Sequence, residues 1–228
     1  MPAKPIRAAI LASGSGTNAE NIMSFAADNG RLDIRCVICN KDGAGVIARA
    51  EKFGVPCHIV PVMRDGFDSF KQARLAQEEK VLALLQAEQV EWIFLAGYMQ
   101  IISPAFLACF ADADLGVNKV VNIHPSLLPQ FPGKDGYGDA WRAGVKTSGV
   151  TLHYVDEGVD TGPVIAQRSF DRHDDDTFED FRARGMALEY EVYREFLAVL
   201  ISDDVPLRRQ GPSKGDCLGS LPALGRGQ

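Results

Sequence analysis

Residues 6–18 read IRAAILASGSGTN, and two different patterns meet within them. Residues 6–11 are a largely aliphatic run, which is typical of a buried strand. A turn of alternating serine and glycine follows, and a helical pattern begins near Thr17 and continues towards Ala27. A buried strand, a glycine-rich turn and a helix in this order predict the first βα unit of a parallel sheet.

The same alternation continues through the first half of the chain. Strands are predicted over residues 34–39, 57–60 and 92–95, and helices over residues 45–53 and 67–86. Short strands separated by longer helices indicate βαβ units whose helices cover both faces of the sheet. We therefore predict an α/β, Rossmann-like three-layer fold with a mostly parallel twisted sheet.

The second half has a different pattern. A strand containing Val120 and Val121 leads into a loop rich in proline and glycine, and strand-like runs follow over residues 149–155 and 164–170. The last helix is predicted to begin at Thr177, which has the capping-box spacing to Asp180, and to continue to Leu200. Two halves sharing one sheet are predicted, about 1–110 and 111–201. Residues 202–228 lack any pattern and are predicted to be a flexible tail.

Composition limits the environment and the partners. The chain has 228 residues, of which 46% are hydrophobic and 24% charged, as in ordinary globular domains. Its five cysteines are scattered, and no apolar run near the N-terminus suits a signal or a membrane span, so we expect a cytoplasmic protein without membrane contact. A net charge of -6 disfavours nucleic acid and leaves small molecules as the expected partners. Both a monomer and a homodimer remain open.

The turn over residues 13–18 is a candidate phosphate site. Its glycines permit positive φ and close approach of the backbone to a ligand, and the N-terminus of the following helix favours an anion. With Ala19 the turn also matches the G-x-G-x-x-A dinucleotide pattern, but that pattern requires an acidic residue where the second strand ends on Asn40. A monophosphate site is preferred over a dinucleotide site and over a turn that binds nothing.

A second motif carries the chemistry. Asn122 and His124 follow a buried strand and have alternate positions, so both side chains are expected on one side, at the carboxyl edge of the sheet. Two hydrogen-bond donors aimed at one point suit a developing oxyanion. Asp160 lies in the later turn DEGVDTGP, and a carboxylate near a histidine favours the imidazolium form and supports a general acid.

Four separated motifs identify a family resemblance. They are SGSGTN at 13–18, LAGYMQIISPAF at 95–106, NIHPSLLPQFPG at 122–133 and HYVDEGVDTGPVIAQ at 153–167. Over approximately residues 6–200 the chain resembles the folate-dependent formyltransferases, and among them those that act on glycinamide ribonucleotide in purine synthesis. Residues 1–201 would then be the formyltransferase domain, with phosphate binding in its N-terminal half and catalysis and folate binding in its C-terminal half.

The resemblance implies a reaction and a set of contacts. The amine of glycinamide ribonucleotide would attack the formyl carbon of the co-substrate 10-formyltetrahydrofolate, without a metal. Asn122 and protonated His124 would stabilise the oxyanion, and Asp160 would raise the pKa of His124 and help to pass a proton to the folate nitrogen. The acceptor would contact Gly16, Thr17, Asn18, Met186 and Glu189, and Thr151 and His153 would support the site. The folate would contact Met99, Gln100, Ile101, Ile102, Leu107, Asn122, Asp156, Glu157, Gly158, Val159 and Asp160.

Some positions depart from the family pattern, and other functions remain open. Phe70 follows Phe-Asp-Ser where the family commonly has a folate-contacting arginine, Gln100 replaces a frequent arginine, and Met186 replaces a common glutamine.

The alternatives to a formyltransferase are a formyltetrahydrofolate hydrolase on the same scaffold, a nicotinamide-dependent oxidoreductase, and a binding module without catalysis.

Overall fold

The structure is a computed structural model that describes residues 4–202. Strands and helices alternate from the start of this range. In chain order the elements are β1 (Ile6–Ala12), α1 (Thr17–Asp28), β2 (Leu32–Cys39), α2 (Gly45–Lys52), β3 (Cys57–Ile59), α3 (Phe70–Ala87), β4 (Trp92–Ala96), α4 (Pro104–Ala108), β5 (Ala111–Asp112), β6 (Val117–Asn118), β7 (Val120–His124), α5 (Gly136–Arg142), β8 (Thr147–Tyr154), β9 (Val164–Asp171) and α6 (Phe178–Leu200).

A seven-stranded sheet organises the molecule, with the order β3-β2-β1-β4-β7-β8-β9. The strands from β3 to β7 in this order run parallel, whereas β8 is antiparallel to both β7 and β9. The predicted α/β fold with a mostly parallel sheet is therefore confirmed. The strand order reverses between β1 and β4, and open α/β sheets bind ligands at the carboxyl ends of the strands beside such a switch point.

Helices cover both faces of this sheet. Ala8 and Ile10 of β1 belong to a core shared with α1, α2 and α6, whereas Ala9 and Leu11 belong to a second core shared with α3 and α4. Successive side chains of a strand point to opposite faces, so a strand in the middle layer must be apolar throughout. Full burial of a leucine or isoleucine side chain contributes about 1.5–3 kcal/mol, and this burial accounts for the aliphatic run over residues 6–11.

The short elements differ from the prediction. Helix α5 begins at Gly136, within a stretch that was predicted to be loop because of its glycines. Asp135 starts this helix by accepting a hydrogen bond from the Gly138 N–H at 3.2 Å. Helix α4 and the β5–β6 pair were also not predicted, since elements of two to five residues are too short to show a period.

The last helix and the residues after it were also the subject of predictions. Thr177 caps α6 as predicted, because its side chain accepts from the Asp180 N–H while the Asp180 carboxylate accepts from the Thr177 N–H. The predicted flexible tail over residues 202–228 lies, apart from Ser202, outside the described residues. Within residues 4–202, no helix combines the length and the apolar character needed to cross a membrane.

Candidate active site

A cavity of about 620 Å³ opens at the carboxyl ends of β1, β4 and β7, beside the switch point of the sheet. It brings together most of the residues predicted from sequence: Gly16, Thr17, Asn18, Met99, Gln100, Ile101, Ile102, Asn122, His124, His153, Asp156, Gly158, Val159, Asp160, Met186 and Glu189. Leu107, a residue of α4, does not line it, because it is 2% exposed and packs in the core between α3, α4 and the sheet. Glu157 is exposed and also lies outside the cavity wall, and Thr151 is buried behind it.

Asn122, His124 and Asp160 form one cluster in this cavity. Asn122 and His124 are two residues apart on β7, which places both on the cavity side. Asp160 comes from the turn between β8 and β9, with a φ of +54°, a conformation that aspartate tolerates better than most residues. Its Oδ2 accepts a hydrogen bond from the Gly133 N–H at 2.8 Å and lies 3.3 Å from His124 Nδ1.

Both ring nitrogens of His124 have a partner. Nε2 lies 2.8 Å from the Phe131 carbonyl oxygen, and because a carbonyl only accepts, Nε2 carries a hydrogen. Burial lowers the pKa of His124 and outweighs the opposite effects of the Phe131 carbonyl and the Asp160 charge. Asp160 does raise the pKa of His124, as expected from the sequence, but the net shift is downward. The downward shift favours the neutral imidazole, and in that form the free Nδ1 faces the Asp160 carboxylate.

Asp160 remains ionised in this cluster. Burial raises the pKa of its carboxyl, but the neighbouring His153, the hydrogen bond from the Gly133 N–H and the nearby His124 ring together leave that pKa below its usual value. The carboxylate is therefore available to stabilise a positive charge on His124 when one forms.

His153 orients the Asn122 amide. His153 Nδ1 lies 2.9 Å from the Tyr154 carbonyl oxygen, so Nδ1 carries a hydrogen, and Nε2 is the nitrogen that faces the Asn122 amide. Asn122 Nδ2 lies 3.3 Å from this Nε2 and donates one amide hydrogen to it. The second amide hydrogen is left for a ligand in the cavity.

A buried threonine supports the loop that follows His124. Thr151 Oγ1 donates to the Ser126 carbonyl at 2.7 Å and accepts from the Leu128 N–H at 3.1 Å. Gln167 Nε2 donates to the same hydroxyl and to the Leu128 carbonyl, at 2.9 and 2.7 Å. These bonds between β8, β9 and the loop fix the chain directly after the histidine.

The glycine-rich turn after β1 is closely packed against α2. Gly16 has a φ of +76° and precedes the first turn of α1, and a Cβ on it would lie 2.5 Å from the Val46 Cβ. Ser13, in the same turn, accepts a hydrogen bond on its hydroxyl from the Met99 N–H at 2.9 Å. The turn is therefore held at the cavity edge from two sides.

Substitution of Gly16 tests this packing. Gly16→Ala is expected to lower the free energy of unfolding by about 1–3 kcal/mol, because alanine at positive φ is strained and its methyl group overlaps Val46. Gly14→Ala is the matched control, since a Cβ there meets no heavy atom within 4 Å. Urea unfolding measures both variants. Equal stability of the two would contradict the packing argument.

A buried carboxylate of α6 lies directly against the start of α1, where the turn ends. Glu189 of α6 is 7% exposed, and its Oε2 accepts a hydrogen bond from Asn18 Nδ2 at 2.5 Å. The hydroxyl of Tyr137 donates to Oε1 of the same carboxylate.

Tyr137 was not predicted as a site residue because it lies in the glycine-rich stretch. Lys134 and Arg182 also line the cavity and were also missed, since single exposed cations carry no pattern.

The segment after β4 forms the wall predicted for folate. The guanidinium of Arg74 donates to the Ile101 carbonyl and lies 2.9 Å from the Glu78 carboxylate, so α3 supports this wall. Phe70, which stands where the family commonly has arginine, is 52% exposed, and the guanidinium carbon of Arg64 lies 4.9 Å from its ring centroid.

Comparison with known proteins assigns the family. A formyl transferase family model matches residues 6–197. A phosphoribosylglycinamide formyltransferase of Bacillus subtilis (strain 168) is 40% identical over 195 residues, which are 85% of this chain and 93% of that protein. A glycinamide ribonucleotide transformylase of Geobacillus kaustophilus has a solved structure with a TM-score of 0.76 and 42% identity, covering 87% of this chain and all of that one. Since the family match includes the entire cavity wall, the chain belongs to the formyl transferase family.

Proposed function

We propose that the protein transfers the formyl group of 10-formyltetrahydrofolate to the amine of glycinamide ribonucleotide, in the synthesis of the purine precursor IMP. One observation carries the proposal: the Asn122, His124 and Asp160 cluster and the glycine-rich turn over residues 14–18 line the same cavity. The cluster suits acyl transfer to a nucleophile, and the turn suits a phosphate. The names of the relatives, a phosphoribosylglycinamide formyltransferase and a glycinamide ribonucleotide transformylase, agree with acyl transfer and with a phosphorylated acceptor.

The reaction begins with attack of the neutral amine on the formyl carbon. The new C–N bond forms as the carbonyl π electrons move to oxygen, and the Asn122 amide donates its free hydrogen to that oxyanion. The C–N10 bond of the folate then breaks, its electron pair stays on N10, and N10 takes up the proton that the amine loses. No other reactant is needed for this balance.

His124 and Asp160 handle the proton. Because Nε2 already carries a hydrogen towards the Phe131 carbonyl, the incoming proton binds at Nδ1, the edge that faces Asp160. The oxyanion adds a second negative charge near the ring, which favours the imidazolium at the moment it is needed. The imidazolium stabilises the oxyanion and then supplies the proton to N10, and no metal takes part in this scheme.

The two substrates occupy opposite walls. The phosphate of the acceptor binds at Gly16, Thr17 and Asn18, while Met186 and Glu189 on α6 contact the rest of it. The folate lies against the segment 99–102 and the turn 156–160, where backbone groups can pair with the pterin.

Product release distinguishes the candidate activities. Tetrahydrofolate is expected to appear only when glycinamide ribonucleotide is present, in a one-to-one ratio with the formylated product. Equal release without any amine would reject the transferase and support the formylfolate hydrolase. Tight binding of NADH, measured by fluorescence transfer, would instead support the dinucleotide-binding alternative.

A further inference from the structure

Tyr137 forms a buried pair with Glu189 and has no part in the proposed reaction as described so far. The Tyr137 side chain is 7% exposed, and its hydroxyl donates to one oxygen of Glu189 while Asn18 donates to the other. A carboxylate has about four acceptor positions, so two remain for a ligand. Both residues line the cavity.

The position of Tyr137 depends on Gly185, one helical turn before Glu189. A Cβ at Gly185 would lie 2.6 Å from the Tyr137 hydroxyl oxygen and 2.7 Å from Cζ, so only glycine leaves room for the ring. Glycine is unfavourable inside a helix, and this contact gives it a reason to be there. Phe181 packs edge-to-face against the same ring, with centroids 6.3 Å apart. The phenol is therefore held between α5 and α6.

We propose that Tyr137 is a positioning residue for the acceptor substrate, which holds the Glu189 carboxylate so that its free lone pairs accept hydrogen bonds from the amine or ribose hydroxyls of the ribonucleotide. This inference rests on the proposed function. It assigns Gly185 a matching part, because that residue admits the tyrosine.

Electrostatics agree with this geometry. Burial, followed by the charge of Glu189, raises the pKa of Tyr137 well above its usual value, so the phenol stays protonated and donates. Burial raises the pKa of Glu189, and the hydrogen bonds from Tyr137 and Asn18 and the charge of Arg182 oppose that rise. Burial, followed by the charge of Glu189, also raises the pKa of Tyr193, whose hydroxyl donates to the Leu95 carbonyl. Loss of the Tyr137 bond therefore makes Glu189 harder to ionise.

The test compares acceptor and folate kinetics in Tyr137→Phe. The KM for glycinamide ribonucleotide is expected to rise about tenfold, the loss of one hydrogen bond to a charged group, while kcat and the KM for 10-formyltetrahydrofolate change little. Glu189 must be ionised to bind the acceptor. As the pH is lowered, kcat/KM for the acceptor should therefore begin to fall at a higher pH in the variant than in the wild type. Gly185→Ala keeps the Tyr137 hydroxyl but moves it away from Glu189. This variant should therefore also raise the KM for the acceptor and shift the pH dependence in the same direction. Tyr154→Phe is the matched control, because it removes a hydroxyl from a residue that does not line the cavity and keeps the backbone carbonyl beside His153.

A double substitution separates coupling from general damage. In a Glu189→Gln background, Tyr137→Phe is expected to add little to the acceptor KM. Full additivity, or equal increases of both KM values, would overturn the positioning role. Normal wild-type turnover with an unchanged acceptor KM in Tyr137→Phe would overturn this role alone. Absence of acceptor-dependent turnover in the wild type would overturn the proposed function and this role with it.

Discussion

Replacement of Asn122 by alanine is expected to lower kcat by about 100- to 1,000-fold, with smaller changes in the KM of either substrate. The amide hydrogen that His153 leaves free is the donor that meets the oxyanion, and this bond strengthens only as negative charge develops. An interaction made mainly in the transition state appears in kcat rather than in KM. Steady-state release of tetrahydrofolate at saturating acceptor measures the loss.

Two further variants distinguish a lost donor from a lost side chain. Asn122→Asp keeps the size of the residue but offers the oxyanion a negative oxygen. The decrease in kcat should therefore be at least as large as in Asn122→Ala. Asn29→Ala removes an amide whose bond is to the Phe25 carbonyl, away from the cavity, and should leave kcat unchanged. If Asn122→Ala raised KM while kcat stayed constant, Asn122 would bind the ground state and the oxyanion role would be wrong.

Much of the sheet could be predicted because its strands are buried on both faces. Continuous aliphatic runs such as residues 6–11 have few alternatives, and β1 in the structure extends that run by one residue, to Ala12. The strand carrying Asn122 was predicted only around Val120 and Val121, and it continues through His124. Polar residues at the end of a strand weaken the pattern where the site begins.

The site was predictable only in part, and for a physical reason. Asn122 and His124 lie at the end of a strand in the parallel part of the sheet, so the topology predicts both at the carboxyl edge. Asp160 follows the antiparallel strand β8, whose end pairs with the start of β7, so its position beside His124 does not follow from the topology. Tyr137 has no such signal, since two of the first three residues of α5 are glycines, which oppose helix formation. Its partner Glu189 was inferred from family resemblance, and the contact between them arises only when α5 packs against α6.

The segment 131–137 connects both sides of the proposed reaction. The Phe131 carbonyl accepts from His124, the Gly133 N–H donates to Asp160, and the Tyr137 hydroxyl donates to Glu189. The groups that handle the proton and the carboxylate that faces the acceptor are thus attached to one short stretch of chain. A displacement of this stretch would change both together. The Thr151 network holds residues 126–128, just before it, and Phe181 of α6 packs against Tyr137 at its end.

Asp160→Asn is expected to lower kcat by about 100- to 10,000-fold, the range for loss of a positioned acid or base. Asparagine tolerates the positive φ of this position, and its side-chain oxygen can still accept from the Gly133 N–H, so the turn should be retained. The variant removes the negative charge that favours the imidazolium. The pKa of His124 should therefore fall further below its usual value.

This shift can be observed apart from turnover. Nuclear magnetic resonance titration of the four histidines, with His124 assigned from its own substitution, should show its pKa moved downward in Asp160→Asn. Asp33→Asn, which breaks an exposed ion pair with Arg35, should move neither this pKa nor kcat. Burial and Asp160 act on His124 in opposite directions, and only the second is removed. A His124 pKa that rose or stayed constant would mean that the carboxylate does not support the imidazolium, and the proton path through Nδ1 would have to be abandoned.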